Sequence, residues 1–302
     1  IDNFLDVNFK VCRDVMCPAN KEADEPGAKF VGGNEHAVVT PDVFKTVYKT
    51  IQDAELGQQF GFRGDGKVPL AWYAPILEMQ TAASPSIVMF WCLTQGATTV
   101  LQDYGTQKQQ DMFLPKMFTG EWCGTMGLTE PGAGSEVGAV ASKAAPTDTP
   151  HKYKMKGTKC FITSGDHDLA ENIIHLMLAK TPDAKEGTAG ISLFIVPKFW
   201  VNDDGSLGDW NDVTTTGIEH KMGIHGSSTA TLAMGENDNC YGWMVGEKDV
   251  IDGRAKGMSQ MFAYMNEERL NTGLFSLGCI GSAYYAALDY TKVRVQSKHS
   301  TN

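Results

Sequence analysis

The feature that most limits how this chain folds is that its periodicity changes twice. From Glu121 to about Gly246, short β-rich runs alternate with turns. On either side, apolar residues recur at helical spacing. In the first part, Val43, Val47, Ile51, Ala54 and Leu56 predict a helix over Pro41 to Phe60, with Thr40 as its cap and Pro41 at its first position. Further helices are expected over Leu70–Ala83, Ser86–Tyr104 and Thr106–Thr119, the last capped by Thr106 and the others separated by Pro69 and Ser84-Pro85. Asn20 to Gly33 is polar and Gly-rich and reads as a loop.

In the middle segment, Thr158–Thr163, Ile173–Ala179, Gly190–Val196, Thr229–Met234 and Tyr241–Val245 are candidate strands of an antiparallel barrel or sandwich, with Asn202 to Gly205 as a turn. Ala255 to Gln296 reads as long helix with at most one break. Its Gly273, Gly278, Gly281, Ala283, Ala286 and Ala287 would let neighbouring helices approach closely. One helix cannot bury its own apolar face, so partners are expected beyond Asn302 or on another subunit. The expected fold class is α+β and multidomain. It comprises an N-terminal α-helical domain (1–120), a middle antiparallel, barrel-like β domain (121–248) and the beginning of a C-terminal helical bundle (249–302).

Composition narrows the function classes. A formal net charge of -10 argues against a nucleic-acid-binding surface, although a local pocket can still hold an anion. Seven cysteines without a CxxC pair fit a reducing compartment. No apolar run approaches the roughly 20 residues that span a bilayer, so membrane insertion is not expected. The chain starts at Ile1 rather than Met, and we expect its natural N-terminus to lie upstream.

The run Gly127-Leu128-Thr129-Glu130-Pro131-Gly132-Ala133-Gly134-Ser135-Glu136 reads as a strand ending in a Gly-rich loop. Such a loop offers backbone N–H groups and close approach to an anion or a flat ring, but it can also be a plain turn. Pro131 and the glycine spacing exclude the dinucleotide-binding fingerprint. Together with Lys159-Cys160-Phe161-Ile162-Thr163, Glu219-His220-Lys221-Met222-Gly223 with Ser227 to Thr231, and Asn266-Glu267-Glu268-Arg269-Leu270 with Arg294-Val295-Gln296, this run resembles the ordered motifs of the acyl-CoA dehydrogenase family. Ser164 to Asp168, Val196 to Phe199 and Gly223 to Gly226 look most like its larger bacterial branch, which includes the methylmercaptopropionyl-CoA dehydrogenases.

The resemblance implies FAD as cofactor and α,β-dehydrogenation of an acyl-CoA thioester to the trans-2-enoyl-CoA. It also implies electron transfer to an electron-transfer flavoprotein, assembly as a homodimer or homotetramer, and a cytoplasmic place (the mitochondrial matrix in a eukaryote). By the same resemblance Met126, Gly127, Leu128 and Thr129 would line the flavin ring. Thr163 would approach its reducible nitrogen beside Ile162. Phe161 would stack where Trp is common, keeping the aromatic face without the indole N–H. Ser135 would contact the CoA side of the substrate, and Asn266 and Arg269 would hold substrate from one helix face. Arg294 and Gln296 would reach the FAD of a neighbouring subunit.

The usual family base lies late in the C-terminal helical domain, a position this chain does not contain. Some members carry it immediately before the motif arginine, which here is Glu268. Met258, Met261, Met265, Glu268, Thr272 and Phe275 alternate steps of three and four, so Glu268 falls within an apolar stripe. Burial there would raise its pKa toward that of a working base, whereas a solvent-facing or ion-paired Glu268 would be merely structural. His167, Glu171 and His175 have helical i, i+4, i+8 spacing, but Ile173 to Ala179 reads as strand, where they would not converge, so no metal site is expected. His220 and His225 flank a turn and read as structural. Two other readings remain at this point: an oxidase passing electrons to oxygen, and a non-catalytic flavoprotein scaffold.

Overall fold

The computed structural model describes residues 2–35, 37–56, 70–247 and 254–297. The chain opens with α1 (Asp2–Val11) and α2 (Cys17–Asp24), joined through a π-turn at Cys12–Met16 into one continuous rod. The expected loop from Asn20 is therefore wrong over its first residues. Met16, Ala19 and Ala23 are buried, and this tertiary contact overrides the poor local hydrophobicity. Lys29–Phe30 (β1) and Val38–Val39 (β2) form a small antiparallel pair.

Next comes α3 (Asp42–Asp53), with Pro41 as its N-cap residue. Thr40 is not the cap. Its backbone N–H and its hydroxyl both donate to Asp168 Oδ1, at 2.9 and 2.6 Å, tying the helical segment to the middle one. Helix α3 is shorter than the helix expected over 41–60: it ends at Asp53, residues 54–56 form a turn, and 57–60 lie outside the described residues. The helices α4 (Leu70–Ala83), α5 (Pro85–Tyr104) and α6 (Gln107–Thr119) follow as expected. Thr106 caps α6 through a reciprocal box: Gln109 N–H donates to Thr106 Oγ1 and Thr106 N–H donates to Gln109 Oε1.

The middle segment carries β3 (Trp122–Gly127), β4 (Lys143–Pro146), β5 (Lys152–Thr163), β6 (Asn172–Lys180), β7 (Ile191–Pro197), β8 (Phe199–Val201), β9 (Leu207–Trp210), β10 (Val213–Ile218), β11 (Thr229–Met234) and β12 (Tyr241–Met244). Strand β4 pairs with both β5 and β6, closing the circuit β4–β5–β12–β7–β6 into a barrel. The barrel-like expectation holds, but the sheet is not wholly antiparallel. Edge strand β3 runs parallel to β6, as does the short β4–β6 contact. Parallel pairing needs a long crossover, here the stretch that includes β4 and β5. Between β3 and α5 the backbones nearly touch: a Cβ on Gly124 would lie 2.5 Å from that of Ala97.

Helix α7 (Gly257–Val293) runs without a break for 37 residues. Its first half packs on α5, where Tyr264 is fully buried and donates to the Leu93 carbonyl at 2.7 Å. Of its small residues, Gly278 makes the close approach, to Glu78 and Thr81 of α4. Farther along, Leu277, Ile280, Tyr284, Tyr285 and Val293 are exposed apolar side chains.

Candidate functional site

A cavity of about 730 Å³ opens where β3, β5, α5 and α7 meet. Each wall is placed by a specific piece of backbone. Strand β3 delivers Met126 and then the loop at Leu128 and Thr129. The Cys160 N–H donates to the Thr129 carbonyl at 2.9 Å, laying this loop along β5. A buried ion pair holds the rest of the loop: Lys159 Nζ donates to Glu130 Oε1 at 2.7 Å, with both side chains almost solvent-free. Lys159 also donates to the Leu178 carbonyl, and Glu130 accepts from the Ala141 N–H and from the Ser142 N–H and hydroxyl. Burial alone would raise the Glu130 carboxyl, but the Lys159 charge and these hydrogen bonds outweigh it and hold it below its ordinary range. The signal for this anchor was a lysine inside a strand, where a charge needs a partner.

Opposite the loop, β5 is not a plain alternating strand. Ala230 pairs with Ile162 and Leu232 with Lys159, so Cys160 and Phe161 together oppose Thr231. Phe161 sits in this bulge with φ +60° and is 61% exposed, its ring lining the cavity. A left-handed backbone costs a non-glycine residue about 1–2 kcal/mol, and bulges re-aim side chains beside functional sites. Beyond Thr163 the turn is pinned by a second buried pair. Lys198 donates to Asp166 Oδ1 at 2.5 Å, the Thr215 hydroxyl donates to Asp166 Oδ2, and the Ser228 hydroxyl donates to the Asp166 carbonyl.

The third wall is α7. Met265, Glu268, Thr272 and Phe275 of the sequence stripe all line the cavity, joined by Tyr264 and Asn271. Glu268 Oε1 is buried and has no hydrogen-bond partner among the described residues. Burial, and then the neighbouring Glu267 carboxylate, push the Glu268 carboxyl up to about 8, against a smaller opposing effect of Asn271. Asn271 is itself buried and held by Tyr73, whose hydroxyl donates to Asn271 Oδ1 at 2.9 Å. Tyr73, Asn271 and Glu267 were not singled out from the sequence, because their partners lie on distant helices.

The structure thus brings Met126, Leu128, Thr129, Phe161, Ile162, Thr163 and Glu268 to one cavity. Gly127 is buried at the end of β3, where a Cβ would run into Met177. The other candidates lie elsewhere. Ser135 is exposed on the loop beyond Gly134. Asn266 and Arg269 are exposed on another face of α7, where Arg269 donates to Asn266 Oδ1 at 3.2 Å and its guanidinium lies over the Phe262 ring. Arg294 and Gln296 are exposed just past the helix end. His175 is fully buried on β6, its Nδ1 2.7 Å from the Thr125 hydroxyl, and burial lowers its pKa to about 3. His167 lies in the turn after β5 and Glu171 is exposed. His225 bridges to Asp24 of α2 at 3.0 Å.

A helical segment, a β barrel and a long helix around an apolar cavity that contains the Glu268 carboxyl define a three-part ligand-binding framework of enzyme type. Comparison with known proteins makes this specific. Residues 125–236 match the family profile "Acyl-CoA dehydrogenase, middle domain". Over its whole length the chain is 72% identical to a butyryl-CoA dehydrogenase of Syntrophomonas wolfei, of which it covers 50%. It is 37% identical to the 3-methylmercaptopropionyl-CoA dehydrogenase of Ruegeria pomeroyi, over 96% of this chain and 47% of that protein. The glutaryl-CoA dehydrogenase of Mycobacterium smegmatis, solved in complex with FADH2, shares the fold with a TM-score of 0.71 at 20% identity, over 98% of this chain and 66% of that one. The chain belongs to the acyl-CoA dehydrogenase family, and it spans about half the length of the curated relatives it matches.

The cavity fits a flavin ring. Its β walls offer an apolar surface (Met126, Leu128, Ile162), an exposed aromatic face (Phe161) and two hydroxyls (Thr129, Thr163). Next to it, Gly132 and Gly134 have open space where a side chain would stand, which leaves their backbone approachable.

Proposed function

We propose that the full protein is an FAD-dependent acyl-CoA dehydrogenase in which Glu268 is the base that removes the α-proton of a short acyl thioester. The observation that carries this is the placement, in the same cavity as Thr129, Thr163 and Phe161, of a carboxyl whose Oε1 is buried and has no hydrogen-bond partner among the described residues. The 72% identity to a butyryl-CoA dehydrogenase supports a short, unbranched acyl chain. Bound along Met126–Thr129 and Phe161–Thr163, FAD supplies the acceptor for the hydride that leaves the β-carbon.

The residues do the remaining work. The apolar side chains Met89, Leu93, Met265 and Phe275 exclude water and hold the acyl chain. As the α-carbon–hydrogen bond breaks, the proton passes to the Glu268 carboxylate, and the pair of electrons left behind forms the new double bond as the β-hydride departs. A base whose pKa is near 8 matches the operating pH more closely than an ordinary glutamate does, which favours proton transfer. Arg294 and Gln296 extend to a neighbouring subunit in a homo-oligomer, Ser135, Asn266 and Arg269 contribute to the CoA side once the assembly is complete, and electrons leave to an electron-transfer flavoprotein in the cytoplasm.

The test is Glu268→Gln in the full-length holoenzyme, read by bleaching of the flavin bands on adding butyryl-CoA. The bleaching rate is expected to fall by about 10²–10⁴, the range of a general base. Bleaching at the unmodified rate would eliminate this role.

A further inference from the structure

Glu267 points to a different neighbour from Glu268, and its contacts have no counterpart in the reaction just described. One step along α7 turns the side chain by about 100°, so consecutive residues face different surroundings. Glu268 opens onto the cavity, while Glu267 reaches α5. There the Gln95 amide donates to Glu267 Oε1 at 2.6 Å and the Thr99 hydroxyl donates to Glu267 Oε2 at 3.1 Å. Gln95 and Thr99 are both buried. Hydrogen bonds to a charged group are stronger than neutral ones and hold the carboxylate in a single geometry.

We propose that Glu267 is a positioning residue: anchored on α5 by Gln95 and Thr99, it fixes the rotation of α7 that aims Glu268 into the cavity and places a negative charge beside it. The inference rests on the reading of Glu268 as the base. Two further observations agree with it. Gly96, between the anchors' turns, lets the Tyr264 ring lie flush on α5, so the two helices are locked at this point: a Cβ there would stand 2.8 Å from the ring. The titratable groups facing Glu268 are Tyr73 of α4, Cys92 of α5, and Tyr264 and Glu267 of α7. Burial raises Tyr73, Cys92 and Tyr264 well above their ordinary values, so they stay neutral, and among the described residues Glu267 is the acidic neighbour that raises Glu268.

The test uses the full-length holoenzyme and two readouts. The first is the infrared band of the protonated Glu268 carboxyl, assigned by its loss in Glu268→Gln and followed against pH. The second is the pH profile of flavin bleaching by butyryl-CoA. In Glu267→Gln, which keeps the shape but removes the charge, the midpoint of the band is expected to fall from near 8 by about one unit, which makes the carboxylate up to about tenfold more abundant on the acid side. The bleaching profile shifts with it, and Glu267→Asp restores most of the original midpoint. Gln95→Met, which frees Glu267 without removing it, shifts the band in the same direction by less. An unmoved midpoint in both Glu267→Gln and Gln95→Met overturns the inference, and Gln95→Met carries the test if Glu267→Gln does not fold. A shifted band together with full turnover in Glu268→Gln removes the base assignment while leaving the Glu267 contact as described.

Discussion

Lys159 and Glu130 meet at 2.7 Å with side chains that are 0% and 5% exposed, and through them the strand that ends at Thr163 grips the loop that starts at Thr129. The pair is fully hydrogen-bonded on both sides, which is the condition under which a buried ion pair is tolerated. Removing one partner leaves the other as an uncompensated buried charge. Lys159→Met is expected to destabilise the protein by about 3–5 kcal/mol and to release flavin more readily, checked by urea unfolding and by the flavin fluorescence of the filtrate. Lys159→Met combined with Glu130→Leu recovers part of the stability, because neither charge is then stranded.

Glu268 makes stability depend on pH. Its folded-state pKa, about 8, lies above that of an unfolded glutamate, so the folded state binds the proton more tightly. The cost of exposing the carboxylate to the cavity is absent below the unfolded pKa, grows as pH rises, and is complete once pH passes the folded value. Glu268→Gln carries no such charge. Relative to the unsubstituted protein it is expected to gain on the order of 5 kcal/mol at pH 9 and almost nothing at pH 4, measured by denaturant unfolding at both pH values.

Phe161 holds an exposed ring on a left-handed backbone, an arrangement that costs stability. Phe161→Gly relieves the strain and loses little burial. The apoprotein is expected to keep its stability or gain up to about 1 kcal/mol, while affinity for FAD falls. Unfolding without flavin and fluorescence titration with FAD separate the two effects. A large loss of apoprotein stability would contradict this account of the bulge.

At the α5–α7 contact the Tyr264 ring occupies the space a side chain at position 96 would need. Gly96→Ala forces the ring or the helices apart, and overpacking of this kind costs about 1–3 kcal/mol. Because Tyr264 and Glu268 are one turn apart, the substitution is also expected to lower the rate of flavin bleaching. Thermal unfolding and the bleaching rate check the two parts.

Much of this architecture was written locally. The Thr106 cap, the break at Ser84-Pro85 and the short β-rich runs that became β5, β6, β7 and β11 depend on neighbours a few residues away, and so they are legible in the sequence. The sequence by itself also determined that Glu268 falls on an apolar stripe, since helical spacing fixes which residues share a face. It did not determine where the stripe points. Tertiary packing alone decided that Glu268 faces the cavity while Asn266 and Arg269 face outward, that the polar stretch from Asn20 begins as helix, and that Phe161 leaves the regular strand in a bulge. The reason is physical: periodicity and capping are short-range, whereas the cost of burying Lys159, Glu130 or Glu268 is set by groups that only the folded chain brings within reach.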